Sequence, residues 1–180
     1  MNPYADGQEL YLDAASTTPL HPEAREALLR TLGDYGDPAR LYGRARRARL
    51  LLDRCREQVA AAVGARADEI VFTSGGTEAA NLAVNGMARA ARRRRHLVVG
   101  AVEHTAVRNS ARALAAQGFE LTEVGVDGGG RVDPDELAAA VRDDTLLVCL
   151  QHANHEVGTV QPVREAAAAE IGRASCRERV

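Results

Sequence analysis

From residue 70 onward, short apolar runs alternate with segments whose apolar residues recur every three or four positions. Ile70-Val71-Phe72, Leu97-Val98-Val99, residues 121–126 and residues 146–150 read as buried strands. Residues 77–92, 105–116 and 134–141, and a segment starting near Val163, read as helices. Gly118 ends the second of these helices, and Asp127-Gly128-Gly129-Gly130 reads as a turn. Before this rhythm begins, Pro22 opens a helix with Ala24, Ala27, Leu28 and Leu32 on one face. A long amphipathic helix over residues 44–63 carries Leu51, Leu52, Cys55, Val59 and Val63. Strands alternating with helices predict an α/β fold, a three-layer α/β/α arrangement around a mostly parallel sheet.

Composition narrows the function classes. Apolar residues make up 46% and charged residues 27% of the 180, and the net charge is −2. These values suit one soluble globular domain and give no reason to expect nucleic acid or a membrane as a partner. The basic run Arg92-Arg93-Arg94-Arg95 carries no interleaved aromatics and reads as a solvated helix end. The first residues lack a cationic, apolar leader pattern, and Cys55, Cys149 and Cys176 show neither disulfide nor metal-ligand spacing. The cytoplasm is therefore the expected compartment. All 23 Lys and Arg residues are arginine, so the chain contains no lysine.

Three segments carry chemistry. The first, Thr73-Ser74-Gly75-Gly76-Thr77-Glu78, runs through two glycines into a helix. The glycines let the main chain approach a ligand, and the helix start offers free N–H groups and a positive dipole end, together an anion site suited to phosphate. An ordinary capped helix start accounts for the motif equally well. The second is Val102-Glu103-His104-Thr105, just past a strand, where parallel sheets gather ligands; an imidazole there can stack on a flat ligand or move protons. The third, Gln151-His152-Ala153-Asn154-His155-Glu156-Val157-Gly158-Thr159-Val160-Gln161-Pro162, is dense in polar groups and also leaves a strand end. The spacing of His152, His155 and Glu156 fits no common metal-ligand set, so no metal is expected. A phosphate nest, an imidazole and a carboxamide at three strand ends suit a flat phosphorylated cofactor.

Four stretches, YLDAASTTP, FTSGGTEAANLAVNG, EHTAV and QHANHEVGTVQP, resemble in order and spacing the cysteine desulfurases of the class V aminotransferase family. Those enzymes use pyridoxal 5′-phosphate on the fold type I scaffold, and the likeness covers about residues 11–163. The resemblance implies that Gly76 and Thr77, helped by Gly75, hold the cofactor phosphate. It implies that His104 stacks on the pyridine ring and assists proton transfer, and that Asn154 contacts the ring's phenolic oxygen and the substrate. It further implies L-cysteine as substrate, a sulfur-acceptor protein, and a homodimer for the full-length enzyme. Selenocysteine lyases, cysteine sulfinate desulfinases and aminotransferase-like relatives share these motifs, and a non-catalytic binding protein is the alternative outside enzymes. The chain departs from the family at Asp37-Pro38-Ala39-Arg40-Leu41-Tyr42, at Ala45, and at His155, where a second asparagine is common. With no lysine, no side chain here can form the Schiff base such enzymes use, and neither Cys55 nor Cys149 sits where the family places its nucleophile. The chain by itself is therefore expected to be inactive. The expected organisation is an N-terminal segment and partial cofactor-binding large domain over 1–169. Residues 170–180, which lack an apolar face and match one frame of a sequencing adapter, are expected to be a non-native tail.

Overall fold

The computed structural model describes residues 11–171, with side chains through Ala168. The chain forms two compact units, one ending at Phe72 and the other starting at Thr73. Residues 172–180, most of the expected non-native tail, lie outside the described residues, while α6 (Val163–Ile171) continues through the tail's first two residues.

The first unit is helical. Pro22 occupies the first position of α1 (Pro22–Thr31), where its missing N–H costs nothing. Helix α2 (Gly43–Val63) ends on Gly64 at φ 70°, the left-handed conformation that stops a helix most cheaply with glycine. A single 3₁₀ turn, Ala67–Glu69, follows, and its Glu69 carboxylate accepts from the Arg66 N–H at 2.8 Å. Both predicted helices are present, but α1 buries no residue and α2 buries only Ala45 and Ala60. A Cβ on Gly36 would lie 2.8 Å from the Arg44 carbonyl, so glycine lets this loop press against the first turn of α2. The stretch Ile70-Val71-Phe72, expected as a buried strand, is not one. It pairs with no other strand among the described residues, and Val71 and Phe72 are exposed. Without a ladder partner the apolar run stays a connecting segment.

The second unit is a three-stranded parallel sheet of β1 (His96–Gly100), β2 (Glu120–Val124) and β3 (Thr145–Cys149), in the order β2-β1-β3. Every residue of the central strand β1 is buried. Its alternating side chains feed two cores. Leu97 and Val99 pack with Val84 and Ala88 of α3 (Gly76–Ala90) and with Ala111 and Leu114 of α4 (Thr105–Ala115). Val98 packs on the opposite face with Leu137 of α5 (Pro134–Ala140), Val124, Val132 and Ala166 of α6. This is the α/β/α layering the pattern predicts, with each large buried side chain contributing about 1.5–3 kcal/mol. Asp133 caps α5 by accepting from the Asp135 N–H at 2.8 Å, and Gly118 at φ 91° closes α4. Helix α3 stops at Ala90, so the exposed Arg92–Arg95 run forms the turn into β1 rather than a helix end.

Candidate functional site

The carboxyl ends of the three parallel strands open onto one cleft of about 790 Å³. After β1 come Ala101 to Thr105, after β2 the turn Asp127-Gly128-Gly129-Gly130, and after β3 the loop carrying Asn154 to Val157; Arg108, one turn along α4, completes the lining. Such a crevice is where an open parallel sheet places its ligands.

His104 is the N-cap of α4. Its Nδ1 accepts from the Ala106 N–H at 3.1 Å, which puts the ring proton on Nε2 and leaves the exposed ring free to meet a ligand. The His155 ring lies 5.7 Å away, tilted by 50°. Asn154 stands across the cleft at the base of a short hairpin, closed by Asn154 N–H to the Thr159 carbonyl at 2.9 Å and Gly158 N–H to the Asn154 carbonyl at 3.0 Å. Its Oδ1 accepts from the N–H groups of Glu156 and Val157 at 2.9 and 3.0 Å, which fixes the side chain in its own turn. Its Nδ2 donates to the Val102 carbonyl at 3.3 Å, and Gln151 Nε2 donates to the same oxygen at 2.7 Å. One carbonyl of the His104 loop thus holds the Asn154 loop in place. Glu103 reinforces the join: its buried carboxylate accepts from the Gln151 N–H. Burial pushes the Glu103 carboxyl up, opposed by that bond and by neighbouring His104.

The turn after β2 is fastened to the same hairpin. Thr159 Oγ1 donates to the Gly129 carbonyl at 2.5 Å and Gln161 Nε2 to the Gly130 carbonyl at 2.7 Å, while Gln161 Oε1 accepts from the Val132 N–H at 2.9 Å. Asp127 Oδ1 accepts from Gly129 and Arg131 N–H at 2.8 and 2.9 Å, so backbone donors, that of Arg131 first, hold its carboxyl below the usual range. Gly130 sits at φ 76°. Gly130→Ala is expected to cost about 1–2 kcal/mol in urea denaturation, because a Cβ is disfavoured there whatever the space around it.

The glycine turn stands where the sequence expects it, at the start of a helix: Gly75, Gly76 and Thr77 open α3. Around them the N–H groups of Gly76, Thr77 and Glu78 have no partner among the described residues, and Gly75, the N-cap, supplies no side-chain cap. The Glu78 carboxylate folds back to accept from the Ser74 N–H at 2.6 Å; the Ser74 hydroxyl and then that N–H lower its pKa. Gly75 has an extended backbone at φ 168°, and a Cβ on either glycine would meet nothing within 4 Å. Neither strain nor crowding inside the protein asks for glycine here, whereas a close-lying ligand would. Three unpaired donors at the positive end of a 15-residue helix fit a phosphate, and a free imidazole face with a carboxamide fits a flat ring.

The sequence reading singled out His104 and Asn154, and they line one cleft. The sequence offers Asp127–Gly130 only as a turn; Glu103, Gln151, Thr159 and Gln161 lie within the two polar segments it singles out but take no individual role there, and Arg108 lies outside them. Three successive glycines at a strand's carboxyl end were the available signal for the turn; the others act through contacts between segments distant in sequence. Cys149 is half-buried, and burial followed by the Glu103 charge pushes its thiol up to about 11, so it is neutral at pH 7 and a poor nucleophile. Among the described residues no three His, Cys, Asp or Glu side chains gather as a metal site would need, and no helix is long and apolar enough to cross a membrane.

Residues 10–172 match the profile of the family described as Aminotransferase class-V. The chain belongs to that family. It is 44% identical over 160 residues to the cysteine desulfurase IscS of Dictyoglomus turgidum, covering 88% of this chain and 41% of that protein. Among solved structures, a NifS-like protein superposes with a TM-score of 0.84 at 34% identity over 89% of this chain and 44% of its own. SspA, solved in complex with cysteine, does so with a TM-score of 0.84 at 30% identity over 91% and 48%. The class-V chain described here therefore spans less than half the length of these relatives. The resemblance read from the four sequence motifs and the parallel α/β fold are both met.

Proposed function

We propose that the chain is the N-terminal portion of a pyridoxal 5′-phosphate-dependent cysteine desulfurase. The full enzyme converts L-cysteine to L-alanine and delivers sulfur to an acceptor protein for iron–sulfur cluster or thio-cofactor assembly. The observation that carries this reading is the pairing of His104 and Asn154 across one strand-end cleft through the Val102 carbonyl, in a fold whose α3 begins with unpaired N–H groups. The relatives named above support the substrate assignment.

Each residue has a part it can play. The N–H groups of Gly76 and Thr77, with the Thr77 hydroxyl and the open approach at Gly75, bind the phosphate. His104 lays its ring on the cofactor ring and, with its proton on Nε2 and Nδ1 engaged, exchanges protons through Nε2. Asn154 has one amide hydrogen left after its bond to Val102 and donates it to a ring oxygen or to the substrate. When bound, the cofactor supplies an electron sink for bonds broken next to the substrate's α-carbon. Sulfur then leaves as a protein thiolate attacks it: the substrate C–S bond breaks, an S–S bond forms, and carbon takes up a proton to give alanine. That thiolate and the Schiff-base amine are not provided by these 180 residues, so the chain alone is inactive, and the whole enzyme works as a cytoplasmic homodimer.

Titrating the 180-residue chain with pyridoxal 5′-phosphate tests the reading. A saturable absorbance change is expected, reduced at least tenfold in affinity by Thr77→Ala and by His104→Ala, since each removes a contact worth about 1.4 kcal/mol or more. An absorbance change that is linear in ligand, or unaltered in both variants, would sink it.

A further inference from the structure

The cleft contains a cation that the proposed chemistry does not use. Arg108 lies one helical turn after His104 and lines the cleft beside it. Its side chain is 30% exposed, and its Nε is fully buried with no hydrogen-bond partner. Its one ionic contact among the described residues, Nη2 to Glu123 Oε2, is 3.3 Å long. Glu123 is held more closely by Arg112, which donates to Oε1 from Nε at 3.1 Å and Nη2 at 2.9 Å. These bonds, led by Arg112, keep the Glu123 carboxyl below its ordinary range. One carboxylate thus serves two guanidiniums, and the surplus charge belongs to Arg108.

The other carboxylates lining the cleft do not neutralise it. Glu103 is spent on the Gln151 N–H and Asp127 on the N–H groups of its own turn, while Glu156 faces His155 at 3.9 Å on the exposed hairpin tip. The two Nη groups of a guanidinium present parallel donors, spaced to take two oxygens of one planar group.

We propose that Arg108 is the anchor of an oxyanion site adjoining His104, distinct from the phosphate site at the start of α3, and that it takes a small carboxylate or phosphate. The Nη–H groups donate to the oxygens of the anion, Glu123 is the internal competitor that yields Nη2 when the anion arrives, and the buried Nε–H of the same guanidinium reports the exchange. The site stands on this geometry alone and does not depend on the cofactor assignment.

The test follows the Arg108 side-chain Nε–H resonance by NMR in the full 180-residue chain, assigned by its loss in Arg108→Lys. Sodium acetate or inorganic phosphate is titrated in at ionic strength held constant with chloride. The expected result is a saturable shift with a midpoint in the range of roughly 1–50 mM for at least one of the two anions. Saturation with acetate alone identifies a carboxylate site, and saturation with phosphate as tightly or more tightly identifies a general oxyanion site. Glu123→Gln is expected to tighten binding about threefold, because it removes the competing negative charge. A resonance that does not move with either anion up to about 100 mM, or that moves linearly without saturation, overturns the proposal, as does a Glu123→Gln variant that binds more weakly while remaining folded. The cofactor reading fails separately, on the pyridoxal phosphate titration, which does not observe this resonance.

Discussion

Gln161→Leu lowers the stability of the strand-end scaffold by about 2–5 kcal/mol, although leucine nearly matches glutamine in size. Gln161 is 3% exposed and uses both ends of its amide, accepting from the Val132 N–H and donating to the Gly130 carbonyl. Leucine leaves the buried Val132 N–H unmet, which costs about 1–3 kcal/mol, and strips the half-buried Gly130 carbonyl of its donor, which costs about 1–2 kcal/mol. The same change unfastens the turn after β2 from the hairpin that carries Asn154. Thr159→Val removes only the neighbouring bond to the Gly129 carbonyl and is expected to cost about 1 kcal/mol. Because the lost bonds join two neighbouring loops, the local readout is the more telling one. Amide exchange at Val132 should accelerate at least tenfold in Gln161→Leu, and the response to pyridoxal phosphate should fall with it. Val132 exchange unchanged in a folded Gln161→Leu protein would show that the bond does not hold the scaffold.

The contrast between Gln161 and His104 shows what a linear sequence makes legible. His104 could be placed because it follows a strand read from a short apolar run, and strand ends are where parallel sheets bind. The three strands and the helices of the second unit are legible for a similar reason: each has its own periodicity, and Pro134 and Gly118 punctuate them. The Ile70–Phe72 run was misread because an apolar triplet does not say whether a partner strand lies beside it. The helices of the first unit are present, but their apolar stripes are largely exposed, since a hydrophobic face predicts a helix without supplying what covers it. Gln161, Thr159, Glu103 and Arg108 were illegible because their roles arise only once β2 and β3 lie on either side of β1. Gln161 lies 29 residues from its partner Val132 and Gln151 lies 48 from Glu103.

His96 makes the second unit sensitive to mild acid. It begins β1, is 1% exposed, and reaches across the sheet to both neighbours: Nδ1 lies 2.8 Å from Thr145 Oγ1 and Nε2 lies 2.8 Å from Thr122 Oγ1. Thr145 Oγ1 also accepts from the Arg142 N–H at 2.7 Å, so the ring is fixed at both nitrogens within a hydrogen-bonded chain. Burial is the first cause lowering the His96 pKa, and the Arg142 guanidinium adds to it, while Asp144 and Glu120 pull the other way. The folded pKa therefore lies below the unfolded value of about 6.5. Between the two values the unfolded chain binds more protons, so stability is fully present above pH 6.5 and declines as pH falls toward the folded pKa, by at most about 1.4 kcal/mol per pH unit. Glu103 has the opposite sign, its raised pKa adding stability as pH falls toward its unfolded range, but it contributes equally to parent and variant. Urea denaturation at pH 7.5, 6.5 and 5.5 should show the parent losing stability relative to His96→Gln, which removes the titrating ring and leaves Glu103 in place. Parallel losses in the two proteins would mean that His96 is not the group that links the sheet to pH.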